Sequence, residues 1–198
     1  YNRALSATDI TELYSDASSS SPALWITTDN DVSGSGVTNL DTWTAGELID
    51  VSNPNLSLEN GGTTSGTFSS LMNLDSFAQD GNASVTAIHY VNTNITVGGG
   101  VNTFDLQGGD IILSTENSET LVGTNGSLSV TADDAFVFRP TTAGDYSSGA
   151  FYFLLDGSQL SSIANMHSIT LIEQDVTIGD SVISAGTFLM SEASSLMD

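Results

Sequence analysis

The residues best suited to chemistry in this chain are carboxylates. Asp29-Asn30-Asp31-Val32-Ser33-Gly34 sets side-chain oxygens at alternate positions before a glycine turn, the alternation found in the front half of a calcium loop, where hard oxygen donors converge on one cation. Asp29, Asp31 and Ser33 are therefore the candidate metal ligands, with calcium as the candidate cofactor. The twelfth position of such a loop is Leu40 instead of a bidentate Glu, and Asp41 comes one place late. The plain alternative is a solvated strand entrance. A second oxygen cluster would arise if Asp133-Asp134 met Asp110 or Glu116 across a sheet, although 24 acidic residues make chance adjacency common.

Other chemistries find less support. Cysteine is absent, which removes thiolate catalysis, disulfides and Cys-based zinc sites. His89 and His167, the two histidines, sit near apolar strands in non-equivalent places and read as structural residues. Ser33-Gly34-Ser35-Gly36 lacks the first glycine of a nucleophile elbow. Gly98-Gly99-Gly100 has no lysine behind it and reads as a hairpin, not a phosphate cradle. Trp25 and Trp43 are the candidate ligand residues, since an exposed indole can stack on a sugar; covering a sheet edge is the alternative. Asn55, Asn82, Asn94 and Asn125 head glycosylation sequons, relevant only in a secreted protein. No constellation predicts an enzyme. A polysaccharide hydrolase working through paired carboxylates is the weakest of three readings.

Charge excludes further classes. Lysine is absent, the arginines are Arg3 and Arg139, and the formal charge is −22 over 198 residues. Such a surface repels phosphate backbones and anionic head groups, so neither nucleic acid nor a membrane surface is an expected partner. No apolar run reaches the roughly 18 residues of a membrane-spanning helix. Arg139 precedes Pro140, so trypsin has almost no site beyond Arg3.

The elements that must position these residues are strands. Ser, Thr, Asn and 19 glycines dominate, a mix that favours strands and turns over helices. Ser6-Ala7-Thr8-Asp9 followed by Ile10, Leu13 and Tyr14 predicts one short helix over residues 7–14. Ser18-Ser19-Ser20-Ser21-Pro22 reads as a linker, giving an N-terminal region 1–22 and a β-rich domain 23–198. Thr64-Ser65-Gly66-Thr67-Phe68 is echoed by Ser147-Ser148-Gly149-Ala150-Phe151, 83 residues later. A strand, Gly turn, strand, Ala/Gly-Gly turn, strand series begins at Asp31, Asn94 and Asp175, at intervals of 63 and 81 residues. These echoes predict an all-β fold: a duplicated antiparallel β unit, sandwich- or propeller-like, over about 29–91 and 92–172, with a partial third copy at 173–192. Ala150-Phe151-Tyr152-Phe153-Leu154-Leu155 is apolar throughout and is expected to be a central strand.

Tyr1-Asn2-Arg3-Ala4-Leu5-Ser6-Ala7-Thr8-Asp9-Ile10-Thr11-Glu12-Leu13-Tyr14 resembles the closing strand and short helix of laminin-G-like, concanavalin-A-like modules of bacterial extracellular proteins. Residues 29–192 resemble uncharacterised β-repeat segments of very large bacterial surface proteins. The resemblance implies an extracellular or cell-surface location and carries over no sugar or calcium site. The expectation that follows is a structural subunit of a fibre, appendage or giant surface protein. It would begin in the tail of one module and end in a partial repeat, assembling with itself or with neighbouring modules by strand addition at sheet edges. A carbohydrate- or protein-binding adhesin module that does not polymerise is the alternative.

Overall fold

The computed structural model describes residues 23–55, 60–63, 65–160 and 165–192. The helix expected over residues 7–14, the Ser-rich linker, Arg3 and the laminin-G-like segment lie outside the described residues. Within them the protein is all-β, and every ladder is antiparallel.

The strands in chain order begin with β1 (Ala23–Ile26), β2 (Val32–Ser33), β3 (Thr42–Trp43), β4 (Glu47–Asn55) and β5 (Ser65–Asn73). A 3-10 turn (Leu74–Ser76) leads to β6 (Val85–Tyr90), β7 (Ile95–Gly99), β8 (Asn102–Leu106) and β9 (Ile111–Thr115). Next come β10 (Glu119–Gly123), β11 (Gly126–Val130), β12 (Ala135–Thr142) and β13 (Asp145–Leu155). A second 3-10 turn (Gly157–Gln159) leads to β14 (Met166–Leu171), β15 (Val176–Ile178), β16 (Ser181–Ile183) and β17 (Phe188–Glu192). A three-stranded sheet β1-β4-β5, a four-stranded sheet β13-β12-β9-β6 and a ribbon β14-β17 carry the body, with four short hairpins β2-β3, β7-β8, β10-β11 and β15-β16 around them.

The four-stranded sheet is covered on both faces, which is why β9 is buried at every residue despite ending in Ser114 and Thr115. One face carries Ile111, Leu113, Phe136, Phe138 and Phe151 against Leu48, Met72 and Leu74. The other carries Ala87, Ile112 and Val137 against Met166, Ile169 and Leu171. Each fully buried Phe, Ile or Leu contributes about 1.5–3 kcal/mol before conformational entropy is charged against it. The central strands are therefore β9 and β12. β13, expected at the centre from its apolar run, is an edge strand on which Phe151 is buried but Phe153 is exposed. Its outer edge is capped by Asn125, whose side-chain amide donates to the Phe151 carbonyl and accepts from the Phe151 N–H, a device that blunts an open edge.

Register shifts fall at similar steps in two pairs of ladders. β4 meets β5 through Leu48↔Met72, a register shift, then Ile49↔Ser70 and Val51↔Phe68. β12 meets β13 through Ala135↔Leu155, a shift at the same step, then Phe136↔Phe153 and Phe138↔Phe151. Both pairs end in a 3-10 turn capped by a side chain, Asn73 accepting from Asp75 N and Asp156 from Ser158 N. β6 meets β9 through Val85↔Thr115, a shift, then Ala87↔Ser114 and on to Tyr90↔Ile111. β14 meets β17 through Met166↔Glu192, a shift, then Ser168↔Ser191 and on to Leu171↔Phe188. Between these series the strands join alike: Leu24 of β1 faces Val51 of β4, as Ile111 of β9 faces Phe138 of β12.

Candidate functional site

Asp110, Asp133 and Asp134 lie in the turns that follow the short hairpins, and Asp31 is bonded to one of these turns. Each hairpin ends in a four-residue turn closed by one backbone bond: Glu47 N to Thr44 O, Asp110 N to Gln107 O, Asp134 N to Thr131 O and Thr187 N to Ser184 O, all between 3.0 and 3.2 Å. Gly109 (φ 100°) and Gly186 (φ 86°) occupy left-handed positions in two of these turns, a conformation glycine adopts without a Cβ clash. Three turns are tied back to the start of their hairpins. Asp31 Oδ1 accepts from Ala45 N at 3.0 Å, Asn94 Oδ1 from Gly108 N at 2.9 Å and Asp175 Oδ1 from Ala185 N at 2.8 Å. Asp31 thus has a turn-fixing role that a neutral Asn fulfils equally at 94. Asp29 and Ser33 are exposed at the entrance to β2 and its strand.

Asp133, Asp134 and Asp156 bring carboxylate oxygens within 4.8 Å of one another. The sequence pointed to Asp133-Asp134 but paired them with Asp110 or Glu116. Neighbouring donors reach part of this group. Asp134 accepts from Thr131 N at 2.8 Å, and the one Thr131 hydroxyl proton is shared between Asp134 and Asp133, each 2.7 Å from Oγ1. Hydrogen bonds from Ser158 hold the Asp156 carboxyl below its ordinary range.

Asp110 has a different partner. It is buried, accepts from Arg139 Nε at 2.9 Å and Nη2 at 2.7 Å, and also receives Gln107 N. Arg139 reaches the Asp105 carbonyl as well and lies over the Tyr152 ring at 5.2 Å. The hydrogen bond to Asp110 foremost raises the guanidinium's pKa. The sole arginine of the described residues is thus committed to a structural pair.

Trp43 is buried, its indole N–H donating to Thr28 Oγ1 at 3.1 Å. Trp25 is half-buried, donates to Asp50 Oδ1 at 3.1 Å and meets Tyr90 and Tyr146 edge-on, with centroids 5.0 and 5.9 Å away. Both rings pack against protein. His167 is exposed, while His89 stands 3.5 Å from Glu173. Burial lowers the His89 pKa more than Glu173 raises it. Burial also pushes Glu173 up, but hydrogen bonds from Asn92 and Thr93 outweigh it, so that carboxyl sits below its ordinary range. This clasp joins the loop after β6 to the loop after β14.

Glu119, like Glu173 and Asp156, escaped sequence reasoning. Glu119 is buried at the start of β10, and its pKa is pushed up to about 7 by desolvation first and then by Asp80 and Asp75. It lines a cavity of about 470 Å³ with Asp80, Thr120 and Ser129. The signal was one of register: Glu119 pairs with Val130 where the other three hairpins pair Val32 with Trp43, Ile95 with Leu106 and Val176 with Ile183. A carboxyl stands where the others place an aliphatic side chain. Comparison of the chain with family models, with curated proteins and with solved structures finds no match.

Proposed function

We propose that this chain is a structural repeat module of an extracellular bacterial surface protein or fibre. Two units of one type, residues 32–115 and 119–192, are joined in series, and β1 pairs with β4 as β9 pairs with β12. On this reading the repeats start at each hairpin that opens a unit, not at 29, 92 and 173. The Asp31 hairpin opens the first unit, the Asn94 and Asp175 hairpins lie inside the two units, and the hairpin after Ser118, the fourth of the set, opens the second. The arrangement is a layered sandwich-like stack in which each unit contributes the floor of the next.

The observation that carries this reading is the doubled register: the β4-β5 and β6-β9 ladders and their capped 3-10 turn have counterparts in β12-β13, β14-β17 and the second turn, with the first shift of each ladder at the same step. A chain whose units share sheets along one axis transmits tension through ladders and nearest-neighbour interfaces. The charge of −22 keeps such a surface soluble and repels like copies at a distance. No catalytic role is part of the proposal, and Trp25 and Trp43 serve packing in it.

The test is single-molecule stretching of the full chain. Two unfolding steps are expected, each releasing about 80 residues, or roughly 280 Å of contour at ~3.5 Å per residue. A single step refutes the two-unit reading. Glycan-array binding that disappears on Trp25→Ala or Trp43→Ala would replace it with the adhesin alternative.

A further inference from the structure

The other short hairpins place Val32, Ile95 and Val176 where β10 places Glu119. An aliphatic side chain satisfies the fold at this position, and the carboxyl is the exception. Glu119 is 7% exposed, and among the described residues no hydrogen bond reaches its carboxyl. With buried Val130 it forms the floor of the cavity of about 470 Å³, under an exposed rim of Gln79, Asp80, Ser118 and Thr131. Asp80 Oδ1 accepts from Asn82 N at 3.1 Å. A buried carboxyl without a donor carries an uncompensated desolvation cost. The chain has no lysine to offset it, and Arg139, the arginine of the described residues, is bound to Asp110.

We propose that this cavity binds a primary alkylammonium group, with Glu119 as its counter-ion at the floor and Asp80 as a second acceptor at the rim. The ligand is a free amine or the lysine side chain of another polypeptide, since this chain has no lysine of its own. The inference stands apart from the repeat reading and adds a binding site to it. A bare divalent ion is disfavoured by the spacing of the oxygens. Calcium needs six or more oxygens at about 2.3–2.6 Å, hence carboxylates that converge. The described carboxylates that gather in a group of three within 4.8 Å are Asp133, Asp134 and Asp156, and Glu119 is not among them. An ammonium instead carries three N–H donors on a narrow stem. It bridges acceptors too far apart to share an ion, while its methylenes lie along apolar surface such as Val130. The electrostatics agree: Glu119 is pushed up to about 7 by desolvation and by Asp80 and Asp75, so about half of it is protonated at pH 7. A bound cation draws it toward the carboxylate.

Carbon-13 NMR of the Glu119 carboxyl in the full chain at pH 7 tests this. The probes are n-butylammonium chloride, a lysine-bearing tripeptide blocked at both ends, tetramethylammonium chloride and calcium chloride, each at constant ionic strength. Butylammonium at millimolar concentration should move the resonance saturably toward its ionised position. A like response to the tripeptide extends the site to lysine side chains, and its absence confines the site to free amines. Glu119→Gln, which should fold at least as stably, should weaken butylammonium binding about tenfold or more, followed at the Val130 amide. No saturable movement with butylammonium overturns the proposal. So does an equal response to tetramethylammonium, which has no N–H to donate, a tighter response to calcium, or unchanged binding in Glu119→Gln.

Discussion

Replacing Arg139 by Met should be among the most damaging single changes this chain can suffer. Asp110 is 1% exposed and takes two guanidinium bonds. Removing the cation leaves a carboxylate in a site that water does not reach. Breaking such a pair from one side costs about 3–5 kcal/mol, because the surviving charge keeps its desolvation penalty without its partner. An exposed pair would cost at most about 1 kcal/mol. Arg139 retains some solvent contact, which draws the figure toward the lower end. Loss of the bond to the Asp105 carbonyl and of the stack on Tyr152 adds back about 1 kcal/mol. The expectation is a loss of roughly 3–4 kcal/mol in urea denaturation at pH 7. The double change Arg139→Met with Asp110→Asn should recover much of it, since the amide still accepts from Gln107 N and leaves no buried charge. A single-mutant loss below about 1 kcal/mol, or a double mutant as unstable as the single, would refute the view that Asp110 depends on its arginine.

Glu119 predicts an inverted pH dependence. Its folded pKa, about 7, lies above the ordinary value of 4.5, so the stability it lends is complete below about pH 4.5 and is lost as pH rises toward and through 7, a difference of up to about 3 kcal/mol. Glu119→Gln should gain on the wild type across that window in chemical denaturation; parallel profiles would show that the carboxyl does not hold its proton. Phe151 and Phe153, two residues apart on β13, should behave oppositely. Phe151→Asp, inside the cluster with Phe77, Phe136 and Phe138, should cost several kcal/mol or prevent folding. Phe153→Asp should shift the melting temperature little, and equal shifts would contradict the edge placement of β13.

What could be read from the chain alone follows the range of the forces involved. Strand content and the hairpin-turn series were legible because turn chemistry is local. A side chain with an acceptor oxygen, a short hairpin and a small-residue turn recur within about fifteen residues, as at Asp31–Ala45 and Asn94–Gly108. The hairpin after Ser118 escaped notice because Glu119 takes the aliphatic place and Asp133 the glycine place in its turn, so the pattern was masked by side chains while the backbone kept it. The central-strand reading of Ala150–Leu155 failed for a related reason. A continuous apolar run reports that both faces meet apolar surface, not that both edges are paired, and Asn125 closes the outer edge of β13 with a side chain. The Asp110–Arg139 pair spans 29 residues and the Glu173 clasp about 80. Nothing in local spacing announces either.

The same distinction explains why apolar side chains stand exposed in so acidic a chain. Ile178, Val182 and Leu189 lie on the last described hairpin and strand, each 46% exposed or more. For an isolated domain of charge −22 these are costly positions to keep apolar, since Asp or Ser there would be tolerated by the β-turn and the ladder alike. Under the proposed repeat each strand has two neighbours, one inside its own unit and one beyond it. Ile112 satisfies both through β6 and β12; Leu189 satisfies one through β14. The difference in exposure thus follows the difference in pairing and not a difference in residue type.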